Sequence, residues 1–113
     1  MIYVAAPYSS PLVGVQDQRL DRTFEFVLHL VKHGVTAFSP VVYFRPTALA
    51  LNLLEDAATW HKHNMAFLRR ADAVFVLRLT GWEQSKGVQI ELKLARALHI
   101  PVEHFSETFD PVS

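Results

Sequence analysis

Short apolar runs rich in β-forming residues alternate with segments of helical periodicity along this chain, and few folds accommodate that order. Neighbouring parallel strands need a crossover of a dozen or more residues between them, and a helix usually provides it. The apolar runs cover residues 2–6, 35–38, 73–77 and 101–102, and the helical segments cover 17–33, 56–70 and 85–98. We therefore predict one α/β domain over residues 1–113, a Rossmann- or flavodoxin-like three-layer fold whose parallel sheet has about four to five strands.

The periodicity of the helical segments predicts which side of each helix faces the core. The first helix ends at His33-Gly34, and its stripe consists of Leu20, Phe24, Val27, Leu28 and Val31. The second helix has a stripe of Ala57, Trp60, Phe67 and Leu68, and the third has one of Ile90, Leu94, Ala97 and Leu98. Residues 41–55 have no clear period, and we expect an irregular stretch with a short helix there.

The composition excludes several classes of function. The 113 residues are 50% hydrophobic and 19% charged, which provides enough apolar surface for one packed core. Eleven Lys and Arg residues balance eleven Asp and Glu residues, and Arg69-Arg70 is the only adjacent basic pair, so we expect no nucleic-acid polymer as a partner. The absence of cysteine excludes a thiolate nucleophile, and the close pair His61 and His63 points to different helix faces. We therefore expect neither a metal site nor a cofactor.

The distribution of apolar residues predicts where the protein is found. No apolar stretch approaches the roughly 18 residues that span a membrane. The first residues enter an apolar strand directly, without the basic segment that precedes the apolar part of a secretory signal. We therefore expect a cytoplasmic protein with no membrane association.

The predicted topology also predicts where a ligand would bind, because ligands of open parallel sheets bind beyond the carboxyl ends of the strands. In this chain the segments that follow those ends are residues 6–10, 39–45 and 79–87, and we expect them to surround one crevice. Three polar residues near this crevice, Asn64, Ser85 and Glu91, lie where core packing does not require them.

Glu91 lies in the second turn of the third predicted helix, and no cation lies three or four residues from it. Its side chain leans toward the amino terminus of the helix and over Gly87. Burial would raise the pKa of this carboxyl, whereas the positive end of the helix would lower it. Such a carboxylate suits a nucleophile or a base, and the alternative is an exposed helical glutamate. Tyr3 in the first strand is either a core aromatic residue or a hydroxyl directed at Glu91.

Ser85 and Gly87 lie between a strand and a helix, where backbone N–H groups of the first helical turn favour anions. The glycine would let a phosphate approach these N–H groups. The alternative is that Ser85 serves as the N-cap of the helix. Trp82, on the turn before it, either stacks on a base or packs within the loop.

Asn64 falls on the apolar stripe of the second helix, four residues after Trp60. A polar amide on such a face needs hydrogen-bond partners. It either satisfies the backbone of a loop or reaches a ligand.

Several short motifs occur together in a characteristic order. They are residues 2–9 (Ile-Tyr-Val-Ala-Ala-Pro-Tyr-Ser), 38–41 (Phe-Ser-Pro-Val), Trp60 with Asn64, 71–72 (Ala-Asp) and 81–91. The last of these reads Gly-Trp-x-x-Ser-x-Gly-x-x-x-Glu. Together they resemble the nucleoside 2-deoxyribosyltransferase superfamily, especially a small bacterial and phage branch, and are similar to the 2'-deoxynucleoside 5'-monophosphate N-glycosidases. The resemblance covers most of the chain and makes residues 1–113 a single domain of this type.

This resemblance implies cleavage or transfer at the N-glycosidic bond of nucleosides or nucleotides through a covalent glycosyl-glutamate. Glu91 matches the nucleophile, and Tyr3 matches a tyrosine whose phenol holds that carboxylate in line with the anomeric carbon. Ser85 and Gly87 match a site for the 5'-phosphate, where transferases that act on free nucleosides usually carry an acid. Pro7, Tyr8, Ser9 and Trp82 would complete the substrate site.

Asn64 departs from the family pattern, because the matching position generally carries an aspartate that assists the leaving base. An amide cannot donate an acid proton at neutral pH. The function expected from the resemblance is hydrolysis of a (deoxy)ribonucleoside 5'-monophosphate to free base and sugar 5-phosphate. The alternatives are a catalytically impaired nucleotide-binding protein and a deoxyribosyltransferase that exchanges bases. The resemblance also implies a small-molecule nucleotide as the ligand and a homodimer or larger homo-oligomer.

Overall fold

The computed structural model of the chain describes residues 1–43 and 57–113, and these residues form a five-stranded sheet with helices on both faces. The elements in chain order are β1 (Ile2–Ala5), α1 (Val13–Lys32), β2 (Ala37–Phe38), α2 (Ala57–Leu68), β3 (Ala73–Leu77), a 3-10 helix (Trp82–Gln84), α3 (Lys86–Ala97), β4 (Val102–Phe105) and β5 (Pro111–Val112). Residues 40–43 are also helical. The rest of the segment predicted to be irregular, and the end of the predicted crevice segment 39–45, lie outside the described residues.

The sheet has the strand order β2-β1-β3-β4-β5. All neighbouring pairs are parallel except β4 and β5, and Tyr3 of β1 lies opposite Val74 of β3. The predicted α/β fold with a parallel sheet of four to five strands is confirmed. The antiparallel strand β5 was not predicted, because two residues that include a proline carry no periodicity.

Alternate residues of the central strands pack on opposite faces of the sheet. On one face, Tyr3 and Ala5 share a buried cluster with residues of α2 and α3, namely Met65, Leu68, Val88, Leu92 and Ala95. On the other face, Val4 and Ala6 pack with Phe26 and Leu30 of α1. The predicted three-layer arrangement therefore places α1 on one side and both α2 and α3 on the other.

The buried side of α1 differs from the predicted one. The helix begins at Val13, four residues before the predicted start, and its buried residues are Thr23, Phe26 and Leu30. Three members of the predicted stripe are largely exposed, namely Phe24 (49%), Leu28 (41%) and Val31 (55%). The helix carries two overlapping apolar stripes. Phe105 and Phe109, whose rings lie 5.3 and 5.2 Å from that of Phe26, are the tertiary partners that bury one of them.

The buried side of α3 also differs from the predicted one. Its buried residues are Val88, Glu91, Leu92 and Ala95, whereas Ile90 and Leu98 of the predicted stripe are each 43% exposed. The prediction was wrong because a count of apolar residues alone excludes Glu91 from the core face. The structure buries this carboxyl among apolar neighbours.

The predicted helix over 56–70 is observed as α2, and its stripe is partly correct. Leu68 is buried, and Trp60 and Phe67 are half-buried. Met65 is buried although the stripe did not include it. Among the described residues, no helix is both long enough and apolar enough to cross a membrane.

Two phenylalanines of α1 provide a matched test of its buried face. Phe26 is fully buried and Phe24 is half-exposed. We expect Phe26→Ala to lower the free energy of unfolding by about 3–5 kcal/mol. Phe24→Ala removes the same side chain from the same helix and should cost roughly 1 kcal/mol or less. Urea denaturation followed by circular dichroism measures both losses, and equal losses would contradict the assignment of the face.

Candidate active site

A tyrosine and a glutamate that are 88 residues apart in sequence meet in the layer between β1 and α3. The Tyr3 hydroxyl donates a hydrogen bond to Glu91 Oε2. Tyr3 is fully buried in β1, and Glu91 in the second turn of α3 is 7% exposed. Of the two predicted interpretations of Tyr3, the structure therefore supports the hydroxyl directed at Glu91, on a ring that also belongs to the core.

Burial controls the protonation of this pair. It raises the pKa of Glu91 from the ordinary 4.5 to about 8, and the hydrogen bond from Tyr3 opposes part of that rise. Burial, the nearby Glu91 charge and the shared hydrogen bond raise the pKa of Tyr3 far above its ordinary value. Tyr3 therefore remains a protonated phenol and a hydrogen-bond donor at neutral pH. Glu91 changes from its protonated to its ionised form near pH 8.

Ser85 caps α3. Its hydroxyl accepts a hydrogen bond of 3.3 Å from the backbone N–H of Val88, which confirms the predicted N-cap. Gly87 is exposed in the first turn, and a Cβ there would meet only the Ser85 hydroxyl oxygen, at 3.9 Å. Neither packing nor backbone conformation among the described residues therefore requires a glycine at position 87. The first turn of α3 leaves room for a ligand beside its N–H groups.

Asn64 lies on α2, directly before Met65 of the Tyr3 cluster. Its side chain is half-buried, and within residues 1–43 and 57–113 its Oδ1 is the one buried side-chain oxygen without a hydrogen-bond partner. A buried carbonyl oxygen without a partner is rare in folded proteins. It is the feature expected of an amide that binds a ligand.

The loop that follows β1 is joined to the loop that follows β3 by an arginine of α1. Pro7 is buried, Tyr8 is half-buried and Ser9 is exposed. The Arg19 guanidinium donates to the backbone oxygens of Tyr8 (3.4 Å), Ser9 (2.8 Å) and Thr80 (2.9 Å). Sequence reasoning did not single out Arg19, because no motif marks a side chain that contacts only backbone carbonyls.

Trp82 opens the 3-10 helix between β3 and α3. Its half-buried ring meets the His104 ring edge-on at 5.5 Å and lies 4.9 Å from the Arg78 guanidinium carbon. Arg78 Nε also donates to His104 Nδ1 at 3.1 Å, and burial together with the Arg78 charge lowers the pKa of His104. The ring thus has contacts on the β4 side, and its stacking on a base stays a prediction.

The described residues define a flavodoxin-like α/β domain with a buried tyrosine-glutamate pair between its sheet and α3. Residues 1–107 match the family described as "Domain of unknown function (DUF1937)", and the chain belongs to that family.

The fold is similar to a solved structure described as a 2-deoxyribosyltransferase from the psychrotolerant bacterium Bacillus psychrosaccharolyticus. The TM-score is 0.63 and the identity 23%, over 99% of this chain and 76% of that chain. This similarity agrees with the fold that the motifs implied. No curated protein matches the sequence significantly.

The raised pKa of Glu91 predicts a dependence of stability on pH. The folded chain binds more protons than the unfolded chain between pH 4.5 and about 8, so the stability contributed by Glu91 is complete below this interval and is lost as pH rises through it. Glu91→Gln keeps the shape of the protonated carboxyl and cannot ionise. We expect it to flatten the decline in unfolding free energy between about pH 5 and pH 9.

The control for this measurement is Glu103→Gln, which changes an exposed glutamate on β4. It should leave the decline as it is in the parent protein. Urea denaturation at several pH values measures all three proteins. A decline of equal slope in Glu91→Gln would show that another group titrates.

Proposed function

We propose that the protein hydrolyses the N-glycosidic bond of a (deoxy)ribonucleoside 5'-monophosphate, with Glu91 as the nucleophile. The products are the free base and the sugar 5-phosphate. The observation that carries this proposal is the buried hydrogen bond from Tyr3 to Glu91. A carboxyl held in an apolar layer by one phenol has a fixed orientation and is poorly solvated, and both properties favour nucleophilic attack.

In the first step, a Glu91 oxygen attacks C1' and the bond from C1' to the base nitrogen breaks, its electron pair leaving with the base. In the second step, water attacks C1', the ester bond to Glu91 breaks and the carboxylate is regenerated, and the proton that the water loses balances, through solvent, the one that the departed base takes up. Because Tyr3 donates to Oε2, Oε1 is the oxygen that we assign to the attack. Positive charge that develops on the sugar in each step is stabilised by the adjacent carboxylate.

The protonation of Glu91 sets the pH dependence of this mechanism. The nucleophile is the ionised form, and burial raises the pKa of the carboxyl to about 8. We therefore expect kcat/KM to rise with pH toward about 8 and then to level off.

The amino terminus of α3 supports a phosphorylated substrate. Backbone N–H groups and the helix dipole favour an anion there. Gly87 leaves the first turn accessible, and Ser85 adds no negative charge that would repel a phosphate. We assign Ser85 and Gly87 to the 5'-phosphate, and Pro7, Tyr8, Ser9 and Trp82 to the remaining contacts with the nucleotide.

Asn64 supports a contact with the base. Its buried oxygen lacks a partner, so the amino group or a ring N–H of a base would satisfy it. The amide cannot protonate the leaving base, however, and this favours a second candidate function. In that alternative the protein binds the nucleotide through the same residues without cleaving it.

A screen of nucleoside 5'-monophosphates for free base, by chromatography, tests the proposal. Added second bases would reveal a transferase, since the same glycosyl-glutamate would then pass the sugar to another base. Release of base from a monophosphate supports hydrolysis, and retention of an unchanged ligand supports the binding protein.

Replacement of Glu91 tests its role as the nucleophile. We expect Glu91→Ala to abolish base release while monophosphates still bind, because the covalent step is lost and the phosphate contacts are kept. Glu91→Gln, which keeps an acceptor for Tyr3, is the matched variant and should be equally inactive. A 2'-fluoro nucleotide should leave a sugar-phosphate adduct on Glu91, detected by mass spectrometry. Undiminished release from Glu91→Gln would exclude Glu91 as the nucleophile.

Asn64→Asp decides between an enzyme and a binding protein. If the parent protein is impaired, a partly buried carboxyl with a raised pKa should supply the missing proton and increase base release by roughly 10²–10⁴-fold. If the parent protein is an enzyme built around an amide contact, the same change should lower activity on its preferred base. Kinetics of both proteins across a panel of monophosphates distinguish these results. Unchanged rates and base preference would show that Asn64 is a structural residue.

A further inference from the structure

Arg19 of α1 connects two loops that the proposed function assigns to the same substrate. Its Nη1 donates to the carbonyl oxygens of Ser9 and Tyr8, at 2.8 and 3.4 Å, and its Nη2 donates to that of Thr80 at 2.9 Å. These carbonyls follow β1 and β3, which are neighbours in the sheet. One planar guanidinium therefore fixes the separation of the two loops.

The position of Arg19 is itself supported from within α1. The buried Thr23 hydroxyl donates to the backbone oxygen of Arg19 at 2.7 Å. Among residues 1–43 and 57–113, no ion pair joins Arg19 to a carboxylate, whereas Arg22, one turn further along, pairs with Glu25 at 2.5 Å. Arg19 thus brings a positive charge to the two loops while donating to their carbonyl oxygens.

Gly81 shows how closely Arg19 approaches the second loop. A Cβ at Gly81 would lie 2.6 Å from Arg19 Nη2, which is closer than Cβ atoms approach other atoms in proteins, so the guanidinium would have to move. Gly81 also has φ +91°, which other residues rarely adopt. Gly34 is a natural comparison, because it has φ +78° but no atom within 4 Å of the place that a Cβ would occupy.

The 3-10 helix transmits the position of Gly81 to the cap of α3. The backbone N–H of Gln84 donates to the Gly81 oxygen at 3.2 Å, and that of Ser85 donates to the Trp82 oxygen at 3.3 Å. The segment from Gly81 to Ser85 is therefore short and internally bonded. A displacement of Thr80 and Gly81 would move the amino terminus of α3.

We propose that Arg19 is a positioning residue for the phosphate of the substrate. It holds the Tyr8–Ser9 loop and the segment from Thr80 to Ser85 at the separation that a phosphate group needs, and its positive charge favours the dianion. This inference rests on the proposed function, and it deepens that function by naming the residue that sets the preference for a nucleotide over a nucleoside.

The test is the ratio of the affinity for a nucleoside 5'-monophosphate to that for the corresponding nucleoside, measured by calorimetry. Arg19→Met keeps the aliphatic stem and removes the charge and the donors. Arg19→Lys keeps the charge but replaces the planar fork with a single ammonium. We expect the ratio to fall by about tenfold or more in both variants, as for a lost charge-assisted contact. Loss of overall stability alone would lower both affinities together and leave the ratio unchanged.

Matched controls separate this role from a structural one. Arg22→Met removes an arginine of the same helix whose Nε donates to the Glu107 backbone oxygen at 2.8 Å, outside the two loops, and it should preserve the ratio. Gly81→Ala should lower the ratio, whereas Gly34→Ala, which also places a side chain at positive φ but meets no atom within 4 Å, should not. Ser85→Asp keeps a capping residue while placing a negative charge at the proposed phosphate site. The fall of the affinity ratio in this variant shows how large the effect of a lost phosphate contact is.

Hydrogen exchange provides a readout that does not depend on a ligand. Amides of residues 80–85 should exchange faster in Arg19→Lys than in the parent protein and in Arg22→Met.

An unchanged affinity ratio in both Arg19 variants overturns this inference alone, provided that the parent protein prefers the monophosphate. A ratio restored by Arg19→Lys overturns the bridging role. A parent protein that binds the nucleoside as tightly as the monophosphate overturns the inference together with the assignment of the phosphate site.

Discussion

The burial of a carboxylic acid, Glu91, in the apolar layer between the sheet and the helices is the constraint on which the geometry of the site depends. Removing an ionised carboxylate from water costs several kcal/mol, so such a group either retains its proton or gains hydrogen bonds. Glu91 does both, since burial raises its pKa to about 8 and Tyr3 donates to it. Both responses require β1 and α3 to be in contact. The central position of β1 and β3 in the sheet makes that contact possible.

The two faces of the sheet contribute different parts of the site. The face covered by α2 and α3 carries the tyrosine, the glutamate and the asparagine. The opposite face carries an aromatic cluster in which Phe26 packs against Phe105 and Phe109. Arg19 of α1 extends from this second face to the loops at the carboxyl edge. The tyrosine-glutamate pair and the loops are therefore held by different layers of the fold.

The two helices whose buried sides were mispredicted show where periodicity loses its value. In α1, Phe24, Leu28 and Val31 form as regular a stripe as Phe26 and Leu30, and only the ring contacts of Phe26 with Phe105 and Phe109 decide between them. In α3, the core side includes a glutamate, and hydropathy assigns such a residue to the surface. The second error is informative, because the position where the hydrophobic pattern fails is the position of the proposed nucleophile.

Local chemistry in the sequence was sufficient to predict β1 to β4, the turn before α3 and the cap at Ser85. Each depends only on residues that are close in sequence. These are an apolar run for β3, a glycine that adopts positive φ for the turn, and a hydroxyl three residues before Val88 for the cap. The sequence motifs also singled out Tyr3, Asn64 and Glu91. Only the tertiary structure decided that Tyr3 donates to Glu91, that Glu91 is buried and that Arg19 joins the two loops. These contacts connect residues 88, 10 and 61 positions apart, and no local pattern determines the distance between side chains that are brought together by the pairing of strands and the packing of helices.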